Sequence, residues 1–162
     1  MKIREAVKED LPVILEIMND AILNTTAIYD YHARTIEFVN NWFAKKQSDH
    51  LPVIVGELDG KTIGFGSYGI FRAWDAYKYS GEHSIYIAEG FRGRGRGGQL
   101  LEKLIELAKE QGFHTLIAGI DAENEGSVKF HSKYGFLEVG RFREVGYKFD
   151  RWLDLIFMQL LL

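Results

Sequence analysis

The segment Phe91–Gly98 constrains the fold of this chain more than any other. It reads Phe-Arg-Gly-Arg-Gly-Arg-Gly-Gly, with four glycines and three arginines in eight residues. The apolar stretch Ile85–Ile87 precedes it and a helical pattern follows it. Glycines let the backbone approach a ligand closely, and the N–H groups at the start of a helix bind anions. The segment therefore predicts a strand, a phosphate-binding loop and a helix, in that order.

The spacing of the glycines is compatible with three kinds of site. Gly93, Gly95 and Gly98 match the G-x-G-x-x-G of dinucleotide-binding folds, but four residues separate the strand from the first glycine, where a tight turn is required. An arginine–glycine segment that binds nucleic acid is typically repeated and disordered, whereas this one is single and lies between apolar patterns. Arg92, Gly95 and Gly97 match R-x-x-G-x-G, in which the arginine charges and the helix dipole favour a pyrophosphate. We favour this third interpretation.

Composition and charge exclude several function classes. The chain of 162 residues has 23 acidic and 20 basic side chains, so it has no general positive field for nucleic acid or an anionic membrane. It has no cysteine, which excludes disulfides, thiolate metal sites and a cysteine nucleophile, and we expect no metal centre. No apolar leader or membrane-length run is present, so we expect one cytoplasmic domain over residues 1–162.

Periodicity predicts alternating strands and helices. We expect strands over residues 2–6, 52–58, 61–71, 82–88, 116–120, 137–148 and 152–161. Asp59-Gly60 is a two-residue hairpin signal between the second and third of these strands, and the last two are expected to form an antiparallel pair. We expect helices that start after Glu9 and after the capping residue Thr35, and others over residues 100–112 and 124–134.

A second motif extends the interpretation of the glycine–arginine loop. Asn124–Phe136 contains an asparagine, a small residue three positions later and a helix that ends in Gly-Phe. With R-x-x-G-x-G and the order of elements, it resembles the GNAT acetyltransferase superfamily over essentially the whole chain. The resemblance implies an α/β (α+β) fold, in which a mixed, mostly antiparallel sheet of seven strands is flanked by about four helices. It also implies acetyl-CoA as the co-substrate.

Three further segments carry a narrower resemblance. Glu82–Ile87, Ala118–Asn124 and Val145–Asp154 are similar to the phosphinothricin N-acetyltransferase group, which includes enzymes that acetylate methionine sulfone and methionine sulfoximine. This implies acetyl transfer to the α-amino group of a small amino acid, directly and in a ternary complex. Some phosphinothricin enzymes have a histidine where this chain has Phe149, so the sulfone and sulfoximine type is favoured.

Two other functions stay open. One is a GNAT acetyltransferase for a different amine, such as a protein N-terminus or a polyamine. The other is a non-catalytic domain that binds acyl-CoA as a sensor. The group is commonly homodimeric, and Trp152–Leu160, which alternates with large side chains, is expected at the dimer edge.

The resemblance also implies roles for single residues. Glu82 matches the general base that removes a proton from the amine. His131 occupies the position of the tyrosine that protonates the departing thiolate in the family. A backbone N–H near Ile87 is expected to stabilise the acetyl oxygen. Because side chains alternate along a strand, His83 is expected to face away from Glu82 and to lie outside the site.

The remaining site residues are expected to contact the two substrates. Arg72 or Lys78 would hold an anionic group of the amino acid, and Asp75 would help to hold its amine. The expected substrate contacts are Tyr29, Arg72, Asp75, Tyr77 and Tyr79. The expected cofactor contacts are Ile85, Tyr86, Ile87, Arg92, Gly93, Arg94, Gly95, Arg96, Gly97, Gly98, Asn124 and Ser127.

Overall fold

A seven-stranded sheet organises the molecule, and four α-helices cover its faces, in a computed structural model that describes residues 1–162. The strands are β1 (Lys2–Glu5), β2 (Val53–Leu58), β3 (Lys61–Ile70), β4 (Ser80–Ile87), β5 (Thr115–Asp121), β6 (Leu137–Lys148) and β7 (Arg151–Leu161). The helices are α1 (Leu11–Asn24), α2 (Ile36–Ser48), α3 (Arg96–Glu110) and α4 (Glu125–Lys133). Every predicted strand and helix is present, and the predicted fold class is confirmed.

Local sequence signals produce several of these boundaries. The Thr35 hydroxyl accepts the Phe38 N–H at 3.2 Å and caps α2, as its residue type predicts. Asp59 and Gly60 both have positive φ, 50° and 74°, which is the backbone of a type I′ hairpin turn between β2 and β3. Asn124 caps α4 by accepting the Ser127 N–H.

The two faces of the sheet bury separate apolar clusters. On one face α1 and α2 pack their apolar stripes against β2 and β3, around Ile14, Val39 and Phe65. On the other face α3 packs Leu100 and Leu104 in a cluster that includes Ile54 of β2, Tyr68 of β3 and Leu116 of β5. No helix is both long enough and apolar enough to cross a membrane.

The strand order is β1-β2-β3-β4-β5-β7-β6, and β4 and β5 are its only parallel neighbours. These two strands pair only from Ser80–Thr115 to Glu82–Ile117. Beyond Glu82, β4 continues along β3 to Ile87 while β5 continues along β7 to Asp121. The strands therefore diverge, and the sheet has a wedge-shaped gap at its centre.

Candidate active site

A cavity of about 810 Å³ passes through the gap between β4 and β5. Its walls come from the end of α1, both diverging strands, the glycine–arginine loop and the start of α4. All the expected cofactor contacts except Arg94 line it, together with Glu82, His131 and Tyr29. The topology therefore brings residues far apart in the chain to one site.

The glycine–arginine loop needs glycine for its backbone and for its packing. Gly93 and Gly95 have φ of 77° and 73°, in the left-handed region, and Gly95 is the cap of α3. A Cβ on Gly98 would lie 1.9 Å from the Tyr134 hydroxyl, so this glycine is required by an internal contact. Gly97 has ordinary φ, and a Cβ there would meet only Phe130 and Ile87, at 3.7 Å or more. Packing within the protein therefore does not require the absence of a side chain at Gly97.

The three loop arginines have different surroundings. Arg92 pairs with Asp20 of α1 at 3.0 Å and donates from Nε to the Ile87 carbonyl at 3.0 Å. Arg96 donates to the Phe91 carbonyl at 3.1 Å. Arg94 is exposed and makes neither a hydrogen bond nor an ion pair. Arg92 thus connects the loop to α1 and β4, whereas the charge of Arg94 is not paired.

The edge of β4 that faces the gap carries unused backbone donors. The Ala88 N–H donates across β3 to the Ile63 carbonyl. Because successive N–H groups of a strand point to opposite sides, those of Ile85 and Ile87 point towards the gap. The Ile87 N–H is therefore a donor that faces the gap, and its role towards the acetyl oxygen stays a prediction.

Glu82 is a half-buried carboxylate without a hydrogen-bond partner. It lines the cavity at the last position of β4 that pairs with β5, and its Oε1 lies 3.3 Å from the point that a Cβ on Gly119 would occupy. Burial raises the pKa of the Glu82 carboxyl, and the charge of Arg72 opposes that rise. A carboxylate with a raised pKa and free lone pairs is suited to accept a proton.

His131 lies on the opposite side of the gap from Glu82, and a hydrogen bond at its Nδ1 holds its ring. This nitrogen lies 2.8 Å from the Ser127 carbonyl oxygen, which can only accept, so Nδ1 must carry a proton. The neutral ring then has its lone pair on Nε2. Burial lowers the pKa of His131, and the hydrogen bond to Ser127 opposes that change. His131 can therefore donate a proton from Nε2 only in its charged form.

His83 corrects one expectation. It faces away from Glu82, as strand alternation predicts, and its ring stacks 5.2 Å from that of His131. It nevertheless lines the same cavity, because the gap opens both faces of the sheet. Neither ring nitrogen has a hydrogen-bond partner, and burial, with a smaller effect from the His131 charge, lowers the pKa of His83 to about 3. His83 belongs to the wall of the site as a neutral ring.

The expected substrate contacts separate into two groups. Tyr29 lines the cavity, its ring packs on Gly146 and its hydroxyl lies 3.4 Å from the Asp154 carbonyl. Arg72, Asp75, Tyr77 and Tyr79 lie on the exposed connection before β4 and do not line the cavity. Their role as substrate contacts stays a prediction.

Lys148 is a functional candidate that sequence reasoning did not single out. It is 4 % exposed, and its Nζ donates to the carbonyls of Ile22, Thr25 and Ile28 at 2.5, 2.8 and 2.7 Å. These carbonyls belong to the end of α1 and the following loop, which lines the cavity. The sequence around Lys148 did not indicate this role, because its three hydrogen-bond partners are distant in sequence and the rest of the strand is exposed.

The site fits acetyl-CoA on the observations above. The free Arg94 charge, the N–H groups at the start of α3 and the open surface at Gly97 suit a pyrophosphate. The gap with its unused β4 donors suits an extended amide-containing arm. The cavity is large enough for both this arm and a small amino acid.

Comparisons with known proteins agree with this geometry. The family model for an acetyltransferase (GNAT) domain matches residues 3–157. The chain belongs to the GNAT acetyltransferase family. An L-methionine sulfoximine/L-methionine sulfone acetyltransferase of Salmonella typhimurium is 41 % identical, over 99 % of this chain and 94 % of that protein.

Solved structures show the same fold. A ribosomal-protein-alanine N-acetyltransferase from Brucella melitensis is 44 % identical, with a TM-score of 0.98 and complete coverage, 100 %, of both chains. A phosphinothricin acetyltransferase from Sinorhizobium meliloti, in complex with AcCoA, is 33 % identical with a TM-score of 0.97, over 99 % of this GNAT chain and 88 % of that one.

Proposed function

We propose that this GNAT protein transfers the acetyl group of acetyl-CoA to the α-amino group of a small amino acid of the methionine sulfone, methionine sulfoximine or phosphinothricin type. One observation carries the proposal: a single cavity joins the glycine–arginine loop to Glu82 through the gap between β4 and β5. The Salmonella relative, similar over 94 % of its length, supports the amino-acid substrate class.

The residues on the cavity wall have different roles in the acetyl transfer. Acetyl-CoA supplies the acetyl group as a thioester. Glu82 accepts the proton that the amine loses as its nitrogen bonds to the acetyl carbon, directly or through a water. The Ile87 N–H stabilises negative charge on the acetyl oxygen. His131, when charged, gives a proton to the departing thiolate sulfur, so the transfer needs no covalent enzyme intermediate.

The binding roles follow from position. The loop residues 92–98 hold the pyrophosphate, and the diverging edge of β4 with Asn124 and Ser127 lies along the arm of the co-substrate. Tyr29 closes the amino-acid side. We further propose that the chain acts in the cytoplasm and as a homodimer.

Glu82→Gln tests the general-base role. The change keeps size and hydrogen-bonding capacity but removes the proton acceptor, so kcat/KM for methionine sulfone should fall by about 10²–10⁴-fold, measured by thiol release. Acetyl-CoA affinity, measured by calorimetry, should stay within about twofold. Glu110→Gln, an exposed change at the end of α3, is the matched control and should leave both unchanged.

The substrate panel separates the alternatives. Methionine sulfone, methionine sulfoximine and phosphinothricin are compared with a peptide that begins with alanine and with a polyamine. Faster turnover of the peptide or the polyamine would contradict the amino-acid assignment. Binding of acetyl-CoA without turnover of any amine would favour the sensor. Unchanged turnover in Glu82→Gln would remove Glu82 from the mechanism.

A further inference from the structure

A second, smaller cavity adjoins the active site on the α2 side of the sheet. Its volume is about 170 Å³, which corresponds to about six waters at about 30 Å³ each, the scale of a small polar molecule. It shares Ile28, Glu82, Ser84 and Tyr86 with the large cavity. The proposed base therefore lies where the two cavities meet.

Two cations line this small cavity. Lys46 of α2 is half-buried and uses one donor on the Tyr68 carbonyl, at 2.6 Å, which leaves two of its three N–H bonds free. Its acidic neighbour Asp49 is paired instead with Lys45, at 2.9 Å. Arg34 reaches Asp30 with Nη2 at 3.2 Å, but its Nε is buried and has no partner. The Lys46 charge is thus the less compensated of the two.

The position of Lys46 relative to Glu82 follows from the register of the sheet. Gly69 of β3 pairs directly with Glu82 of β4, so both positions point to the same face. A Cβ on Gly69 would lie 3.1 Å from Lys46 Nζ. Because paired Cβ positions are about 5 Å apart, the Glu82 side chain starts beside the point that the ammonium occupies, and its Oε1 extends towards Gly119 on the β5 side. Gly69 adds no side chain between them.

The small cavity therefore has opposite charges at its two ends. Glu82 provides the negative end and Lys46 the positive end, and Phe38 and Trp42 supply apolar walls. A free α-amino acid has the complementary form, with an amine and a carboxylate on one carbon and a side chain that contacts apolar surface. Burial lowers the pKa of Lys46 to about 8, although Asp49 acts in the opposite direction; a bound anion would favour its charged form.

We propose that the small cavity binds the α-carboxylate of the amino-acid substrate and that Lys46 is its principal ligand, assisted by Arg34. The inference rests on the proposed function. It makes the enzyme selective for free amino acids over amines that have no adjacent carboxylate. It also places the amine towards Glu82, since both groups are attached to the same carbon.

The test compares two ligands that differ only in the carboxylate, methionine sulfone and its carboxamide, against wild type and Lys46→Met. Binding is measured by calorimetry in the presence of CoA, and kcat/KM by thiol release. Loss of a charge-assisted hydrogen bond should weaken binding of the acid by about ten- to a hundredfold and leave the amide within about twofold. Lys46→Arg should recover part of the affinity for the acid.

The matched control is Lys45→Met. Lys45 is the neighbouring lysine, its side chain is 75 % exposed and it does not line the small cavity, so both ligands should bind as in wild type. Thermal unfolding of each variant checks that it folds; Lys46→Gln replaces Lys46→Met if that variant does not.

The outcomes are distinguishable. Equal losses for acid and amide, or no loss for either, would overturn the carboxylate site. If wild type turns over no amino acid, the proposed function fails, and calorimetry still decides whether Lys46 selects a carboxylate. An acid-specific loss in Lys46→Met would support the site in either case.

Discussion

The hydrogen bond between the His131 ring and the Ser127 carbonyl fixes the chemistry available to this histidine. Because Nδ1–H is committed to the carbonyl at 2.8 Å, Nε2 can donate only when the ring is charged. Burial favours the neutral ring and lowers its pKa. An acid role for His131 therefore depends on pH in a definite direction.

We predict that His131→Gln lowers kcat at low pH and has little effect at high pH. Above the ordinary histidine pKa of about 6.5 the wild-type ring is neutral and contributes no proton, and the charged fraction grows only as pH falls towards its lowered pKa. The wild-type to variant ratio of kcat, at saturating amine, should rise from near one at about pH 8.5 to several-fold at about pH 5.5.

Ser132→Ala is the control for this experiment, since Ser132 is the exposed neighbour on α4 and its hydroxyl donates only to the Val128 carbonyl. It should give a ratio near one at every pH. A His131→Gln ratio that is constant across the range would show that His131 packs against His83 without acting as an acid.

At the scale of elements, the loop after α1 is fastened to the end of β6. Lys148 donates to three carbonyls of this segment, and the Tyr31 hydroxyl donates to the Tyr147 carbonyl. The Tyr29 ring packs on Gly146, where a Cβ would lie 2.7 Å from it. Three neighbouring residues of β6 thus position the loop that walls the amino-acid side of the cavity.

We predict that Lys148→Met destabilises the protein and weakens amino-acid binding. The carbonyls of Ile22, Thr25 and Ile28 lose their shared donor, so the free energy of unfolding in urea should fall by about 2–4 kcal/mol. The KM for methionine sulfone should rise several-fold while that for acetyl-CoA stays within about twofold.

Lys129→Met provides the comparison, because Lys129 is 77 % exposed and paired only with Glu125. Its effect on the free energy of unfolding should stay below about 0.5 kcal/mol. If Lys148→Met changed both KM values equally, the Lys148 hydrogen bonds would support the fold as a whole and would not position the loop in particular.

The contacts of this loop also explain why the sequence predicted the helices and strands but not every residue of the site. Thr35, Asp59 and Gly60 act on near neighbours, so local patterns predicted their cap and turn. The partners of Lys148 are 120 to 126 positions away, and no local pattern reports such contacts. His83 was misplaced because strand alternation assumes a continuous sheet, whereas β4 and β5 separate beside it.

At the scale of the whole molecule, β6 leaves a long apolar edge uncovered. It is the last strand of the sheet, has 12 residues and pairs only with β7. The expectation that Trp152–Leu160 forms the edge was wrong, because β7 lies between β5 and β6. Leu137, Val139, Phe142 and Val145 on β6 are 54–71 % exposed. Exposed edge strands with apolar side chains associate unless something covers them, which favours the proposed homodimer. The same strand ends at Lys148, so association would also support the loop beside the active site.

We predict that charges on this edge separate the subunits. The double change Leu137→Lys and Val139→Lys places two cations on the apolar surface, where burial against a second copy costs several kcal/mol. Sedimentation equilibrium at about 10 µM should give a dimer for wild type and a monomer for the variant. Val7→Lys, which charges an exposed apolar position at the opposite side of the sheet, should remain dimeric.

A monomeric wild type, or a dimeric double variant, would show that β6 is covered by something other than a second copy or by nothing. If association at the β6 edge supports the loop after α1, the monomer should also have a raised KM for the amino acid, because Gly146–Lys148 would lose the packing that holds the end of this strand.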